Sequence, residues 1–253
     1  GVATPVDRHR LEALRYAVNE EAVQYIAIMR AFTLGLTGLL SDQSASEIPQ
    51  TLAAGGIDLD VDTLAALGVR TYVSPAACQR EGYQPNPLTF DEVFGEITQI
   101  GDVFDVPDAA AALIEDQRTR LAAVDPDDRQ LTALWYSSGS DTPFVGAGIG
   151  APQMIMDAVG VENIAAGIPE TWSSFGWEAV VDANPDVIVL VDSAWGSTEK
   201  KIGVLESNPA TAALPAVQEG RYLVVPFPAG EAGVRNVEAV ETLSAQLAEL
   251  DLP

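Results

Sequence analysis

The stretch that decides the fold opens Leu131-Thr-Ala-Leu-Trp-Tyr-Ser-Ser-Gly-Ser-Asp-Thr-Pro-Phe144. It continues through Gly146-Ala-Gly-Ile-Gly-Ala-Pro-Gln-Met-Ile-Met-Asp-Ala-Val-Gly160 and closes on Thr171-Trp-Ser-Ser-Phe-Gly-Trp-Glu-Ala-Val-Val-Asp-Ala-Asn-Pro-Asp-Val-Ile-Val-Leu-Val191. The first apolar run stops abruptly at Ser137-Ser-Gly-Ser-Asp-Thr142, which reads as a buried strand delivering a polar loop to a sheet edge. Val187 to Val191 is a second such run, entered through Asn184-Pro185, a helix stop followed by a new strand. Between them Trp172-Ser-Ser-Phe-Gly-Trp177 is an aromatic cluster in what reads as a loop. Open parallel sheets hold their ligands beyond the carboxyl ends of their strands, so the stretch reads as half of a binding cleft.

Working outward, the rest alternates as a doubly wound unit should. The pattern predicts helices over Ala151–Val159, Trp177–Ala183, Ser197–Leu205 and Val234–Leu250, with a strand at Tyr222–Val225. Upstream, Thr89 caps a helix over Phe90–Val103 whose Phe90, Val93, Phe94, Ile97 and Ile100 fall at three- and four-residue steps. Pro107 starts a long helix, Asp108–Val124, which Asp125-Pro-Asp-Asp128 breaks and which is the best boundary between two lobes. Asp62–Gly68 reads as a short helix and Val69–Ser74 as a strand cut off by Pro75. Before that, Asp7–Val18 and Glu20–Met29 have amphipathic spacing, while Ala31–Gly56 follows no clear period.

Over 253 residues, thirteen basic side chains stand against thirty-seven acidic ones, a net charge of -24. Such a field repels nucleic acid and anionic lipid, so neither is expected as a partner, although acidity is also a common solubility trait. No apolar run of about eighteen residues exists to span a membrane, and no basic and apolar leader opens the chain. Cys78 is the single cysteine and His9 the single histidine, so no internal disulfide forms and a thiolate or imidazole metal site is not expected.

Gly146-Ala-Gly-Ile-Gly150 invites a nucleotide-cofactor reading, but the dinucleotide fingerprint needs a further small residue and a later acid at spacings absent here. The turn into a helix is the better reading of those glycines, and a nucleotide-dependent enzyme stays as the alternative of another class. A serine hydrolase would need a histidine after Ser137, Ser138 or Ser140, and His9 precedes them. Asp141 has no second carboxylate placed by a strand end, so a glycosidase has no footing.

All four tryptophans, Trp135, Trp172, Trp177 and Trp195, lie in the second half. Trp135 and Trp177 can as well plug the core as face a ligand, whereas Trp172 and Trp195 fall in predicted loops, where Trp172 suits a flat platform. Arg235, at the start of the last helix, is placed either to clamp a carboxylate or phosphate or to pair with Glu231 or Glu238.

Taken together these residues resemble the class III substrate-binding proteins of ABC importers, the group that includes cobalamin- and iron-siderophore-binding proteins and has actinobacterial members. The carriers are Trp172 with Phe175-Gly-Trp-Glu-Ala-Val-Val-Asp-Ala-Asn-Pro-Asp-Val-Ile-Val189, Gly160-Val-Glu-Asn-Ile164, the helix pair with its Ile100-Gly-Asp-Val-Phe-Asp-Val106 link, and Asp62–Val73. The resemblance implies an α/β fold of two Rossmann-like lobes joined by one long rigid helix. The lobes would be residues 1–106, atypical before about 56, and 125–253, with 107–124 joining them and closing little on binding. It implies an extracytoplasmic, lipid-anchored, monomeric binding protein that does no chemistry and carries no cofactor. Its cargo would be a ferric siderophore or corrinoid, handed to an ABC permease. A deazaflavin coenzyme precursor is the alternative cargo, proposed for actinobacterial members of similar sequence. The expected second-lobe wall is Tyr136, Ser137, Ser138, Ser140, Asp141, Thr142, Phe144, Trp172, Phe175, Trp195, Phe227 and Arg235, with Tyr83 opposite. Glu178 falls where the family places its permease-docking acid, and Glu21 is its candidate counterpart on the first lobe. The chain departs from the family between Gln24 and Gly55, where the expected Pro-Asp and strand are missing, so the first lobe reads as shortened or rebuilt.

Overall fold

The computed structural model describes residues 72–77, 84–250 and 252. The chain divides into two compact units, Gly1–Gln84 and Pro85–Pro253. Of the first unit, Tyr72 to Ser74 form no strand, and a single 3-10 turn follows at Pro75–Ala77. The strand expected to end at Ser74 is therefore not seen in its described part, Tyr72 to Ser74. His9, Glu21, Cys78 and Tyr83 lie outside the described residues, as do the helices expected before Val69.

The second unit opens with two packed helices. Helix α1, Phe90–Val103, begins on the capping box formed by Thr89 and Glu92, and buries Val93, Phe94 and Ile97. The three- and four-residue apolar spacing thus becomes one buried face. Helix α2, Pro107–Ala122, starts on proline, whose missing N–H costs nothing in a first turn. Arg118 of α2 reaches Asp91 at 2.6 Å and lies 4.6 Å over the Phe94 ring, fastening α2 to α1. Arg120 pairs with Glu241 of the last helix, and Gln117 Nε2 donates to the Val234 carbonyl at 2.7 Å.

The sheet contains β1 (Thr132–Ser138), β2 (Phe144–Gly146), β3 (Glu162–Asn163), β4 (Trp172–Ser174), β5 (Val187–Asp192) and β6 (Tyr222–Pro226). Its order is β4-β2-β1-β5-β6, with β3 also pairing β1. Strands β1, β5 and β6 run parallel, and β2 runs antiparallel between β1 and β4. Helices α3 (Ala151–Val159), α4 (Trp177–Ala183), α5 (Thr198–Ser207), α6 (Pro215–Gln218), α7 (Phe227–Gly230) and α8 (Asn236–Glu249) complete the unit.

Alternation along each strand assigns the two faces. Leu134, Tyr136, Ile188 and Leu190 pack with Trp177 and Val180 of α4, Leu205 of α5 and Val217 of α6. Ala133, Trp135, Val189 and Leu223 fall on the opposite face, toward α3 and α8. Both faces are covered, which is why Val187 to Val191 is apolar without a break. The free edge of β6 is closed by one side chain: Gln246 accepts from Val224 N at 2.7 Å and donates to Val224 O at 2.9 Å.

One local reading is corrected. Trp172 is expected in a loop but belongs to β4, its backbone paired with Gly146; three residues of edge strand are too short to show a period in sequence. Phe227-Pro-Ala-Gly230 forms α7, a single turn that the sequence pattern does not announce.

Candidate functional site

The polar loop after β1 is built on its own chain. A bulge places Ser137 as an extra residue between the pairs Tyr136–Val145 and Ser138–Phe144, which re-aims the strand end. Gly139 then takes a φ of 85°, where a Cβ would overlap the Thr142 carbonyl oxygen. Two aromatic side chains hold the loop from below: the Tyr136 hydroxyl donates to Gly139 O at 2.5 Å, and Trp177 Nε1 donates to Ser140 O at 2.9 Å. Ser140, Asp141 and Thr142 are left exposed at the edge, with Ser137 and Ser138 half-buried.

This pins down Tyr136, expected on the ligand wall. It is fully buried, its ring set edge-on to Trp177 at 5.4 Å, and burial pushes its phenol up to about 12. It supports the loop and does not line the surface. Trp135 and Trp177, left open between core and cleft, are both core.

Large rings remain at the carboxyl edge. Strands β5 and β6 end side by side at Asp192 and Pro226, and the next large side chains are Trp195 and Phe227. Their rings meet at 4.7 Å and 74°, and Trp195 is 57% exposed. On the other side of β1, Phe144 and Trp172 stack at 6.2 Å and 14°, with Phe144 39% exposed and Trp172 half-buried. Phe144 pairs with Ser138 at the carboxyl end of β1, and half-buried Phe175 follows the end of β4. The edge thus carries two aromatic pairs with the exposed serine and aspartate loop between them.

Arg235 follows β6 and α7 and stands at the start of α8. Asn236 fixes this segment, accepting from Gly233 N at 2.7 Å and donating to the Ala229 and Glu231 carbonyls. The salt bridges formed by described residues use Arg118, Arg120, Arg129 and Arg221, and Arg235 joins none. Its Nη1 is buried and makes no hydrogen bond. The pairing with Glu231 or Glu238 weighed from sequence is therefore absent, and a partly desolvated guanidinium is left with donors to spare. Glu178 is exposed in the first turn of α4, where the helix dipole favours a carboxylate.

The glycine loop is closed to phosphate. Ala147, Gly148 and Ile149 N–H groups donate to Thr171, Ile168 and Glu170 carbonyls at 3.0, 3.0 and 3.2 Å. A pyrophosphate cradle needs those donors free. Gly150 is the N-cap of α3, the turn into a helix that the sequence favours. Among the described residues no cluster of metal-ligating side chains occurs, and no helix is long and apolar enough to cross a membrane.

A family model described as periplasmic binding protein matches residues 61–229. The chain belongs to the periplasmic binding protein family. The match takes in β1 to β6 and both aromatic pairs of the carboxyl edge, and the mixed α/β fold expected from the resemblance holds. Among solved structures it is similar to a periplasmic binding protein from Veillonella parvula, with TM-score 0.67 and 24% identity, covering 77% of this chain and 67% of that one. It is similar to an ABC-type Fe3+-hydroxamate transport system from Saccharomonospora viridis, with TM-score 0.66 and 25% identity, covering 74% of this chain and 64% of that one. The periplasmic heme-binding protein RhuT from Roseiflexus sp. matches with TM-score 0.61 and 21% identity, covering 74% of this chain and 70% of that one. No curated protein matches.

Proposed function

We propose that this periplasmic binding protein is the extracytoplasmic substrate-binding component of an ABC importer, and that its cargo is a ferric siderophore or a corrinoid. The observation that carries the reading is the carboxyl edge itself: the Trp195–Phe227 and Phe144–Trp172 pairs flank an exposed polar loop, with an unpaired Arg235 beyond β6. Large rings held in pairs offer wide, stiff apolar surface to a ligand bigger than a bare ion. A ferric hydroxamate is favoured within the class by the 25% identity to the Saccharomonospora viridis protein. In this reading the chain acts as a monomer on the outer side of the membrane, held there by a lipid anchor, and no bond is made or broken. Exposed Glu178 would meet arginines of the permease.

Intrinsic tryptophan fluorescence tests it, titrated with a ferric trihydroxamate, a ferric catecholate, haem, cobalamin and a deazaflavin coenzyme precursor, with inner-filter controls. Saturable quenching by the iron chelates or by cobalamin is expected. Flat titrations with all five would overturn the reading, and saturation by the deazaflavin precursor alone would move the cargo to that class.

A further inference from the structure

Beneath the Trp195 turn lies a lysine with no carboxylate partner. Lys201, in the second turn of α5, is only 3% exposed. Burial pushes its ammonium below the ordinary lysine range, opposed by the nearby charge of Asp192. That carboxylate is engaged elsewhere, accepting from Thr198 N at 2.9 Å and Thr198 Oγ1 at 3.1 Å. Lys201 Nζ donates instead to the Gly196 carbonyl. The same oxygen accepts from Ser193 Oγ at 3.2 Å, and Gly196 N returns to Ser193 O at 3.1 Å, closing residues 193–196 into a bridged turn. Ala194 and Trp195 are the two exposed residues of that turn, and Trp195 is its single large ring.

Burying an ammonium is costly, and a methionine would fill the same space without the charge. What the charge does here is hold a carbonyl one residue from an exposed indole. We propose that Lys201 is a positioning residue: it locks the Ser193–Gly196 turn so that Trp195 stands edge-on to Phe227 before any ligand arrives. Its value to binding rests on the carboxyl-edge reading above, whereas its hold on Trp195 does not. A ring already fixed loses less freedom on binding, which is how a remote lysine raises affinity without touching the ligand.

The test uses the full chain labelled with 5-fluorotryptophan, whose four tryptophans give separate 19F resonances, Trp195 being assigned by its loss in Trp195→Phe. In the ligand-free protein Lys201→Met is expected to move and broaden the Trp195 resonance while the buried Trp135 and Trp177 resonances stay in place. Lys201→Arg, which keeps a donor, should restore the Trp195 line. Ser193→Ala removes the second donor to the same carbonyl at a half-buried site, and should shift that line in the same direction even where Lys201→Met folds poorly. An unmoved Trp195 line in the folded variants would overturn the proposal. Titration with a ferric trihydroxamate separates the two claims: about tenfold weaker binding in Lys201→Met is expected. Equal binding alongside a shifted Trp195 line would leave the turn lock standing and remove its contribution to affinity, whereas flat titrations of the parent and the variant alike would remove the carboxyl-edge site.

Discussion

Trp195 and Phe227 follow the ends of adjacent parallel strands, and their rings meet edge to face at 4.7 Å. Strand register therefore fixes the spacing of two residues far apart in sequence. Because Trp195 is the most exposed of the four tryptophans and Trp172 is half-buried in an edge strand, ligand quenching should come mainly from Trp195. Trp195→Ala is expected to abolish most of the quenching and weaken binding about tenfold or more, an aromatic anchor's usual loss. Trp172→Ala should cost less in affinity and also lower stability, since it strips β4 of its stacking partner Phe144. Titration and thermal unfolding of both variants check this, and the reverse ranking would move the ligand to the β4 side.

The unpaired guanidinium gives a second prediction. Arg235 has a buried Nη1 with no acceptor, so removing the charge leaves no orphaned partner behind. Arg235→Met should leave thermal stability unchanged or raise it slightly. Its effect on an anionic chelate should be large, because a charge-assisted hydrogen bond is worth about 1.5–3 kcal/mol, roughly ten- to hundredfold in affinity. Its effect on a neutral ferric trihydroxamate of similar size should be small. Kd for matched anionic and neutral chelates, at two salt concentrations, decides it; equal losses for both would show that Arg235 reads shape alone.

Much of this was legible from residues because the governing signals are local. Thr89 and Glu92 announce α1, Pro107 announces α2, and the unbroken apolar run Val187–Val191 can sit only in a strand covered on both faces. The carboxyl edge followed from the abrupt halt of the first strand at Ser137. What was not legible depends on partners distant in sequence. Nothing near Tyr136 says that its hydroxyl meets Gly139 and its ring meets Trp177, so it read as a wall residue. The extra residue at Ser137 and the pairing of β2 with β4 are products of tertiary packing, and Trp172 passed for a loop residue as a result. Nothing in the sequence sets Lys201 apart from its neighbour Lys200, because its burial depends on the turn that folds over it.

Gly139 tests how tightly the loop is specified. Its φ of 85° and the Thr142 carbonyl behind it leave no room for a methyl group. Gly139→Ala should destabilise the protein by about 1–3 kcal/mol, the cost of a non-glycine residue held in strained backbone. Tyr136→Phe, which removes only the hydroxyl bonded to Gly139, should cost about 1 kcal/mol. Spectrophotometric titration at alkaline pH gives an independent mark: one tyrosine of the native protein should ionise only near pH 12, and Tyr136→Phe should lose that step. Because the folded value lies above the unfolded one, this group's contribution is intact below the unfolded pKa and disappears as pH rises through 12.

At the amino end of β1, Asp127 and Arg129 form the least exposed of the ion pairs between described residues, at 2.6 Å. The guanidinium also donates to Leu247 O at 3.2 Å and lies 3.5 Å from Leu250 O, so it binds the connector to the carboxyl end of α8, where a helix favours positive charge. Hydrogen bonding from Arg129 holds the Asp127 carboxyl below its ordinary range, partly opposed by burial. The folded pKa is thus depressed, so the stability it contributes is present above the unfolded value of about 3.9 and is lost as pH falls through the folded value. Asp127→Asn should lower stability at neutral pH by about 1–3 kcal/mol, since a charged donor loses its acceptor. The gap to the parent protein should narrow steadily as pH drops below about 4. Urea unfolding measured across that range checks the coupling: converging curves support it, and two curves that stay parallel would show that Asp127 acts through packing and not through its charge.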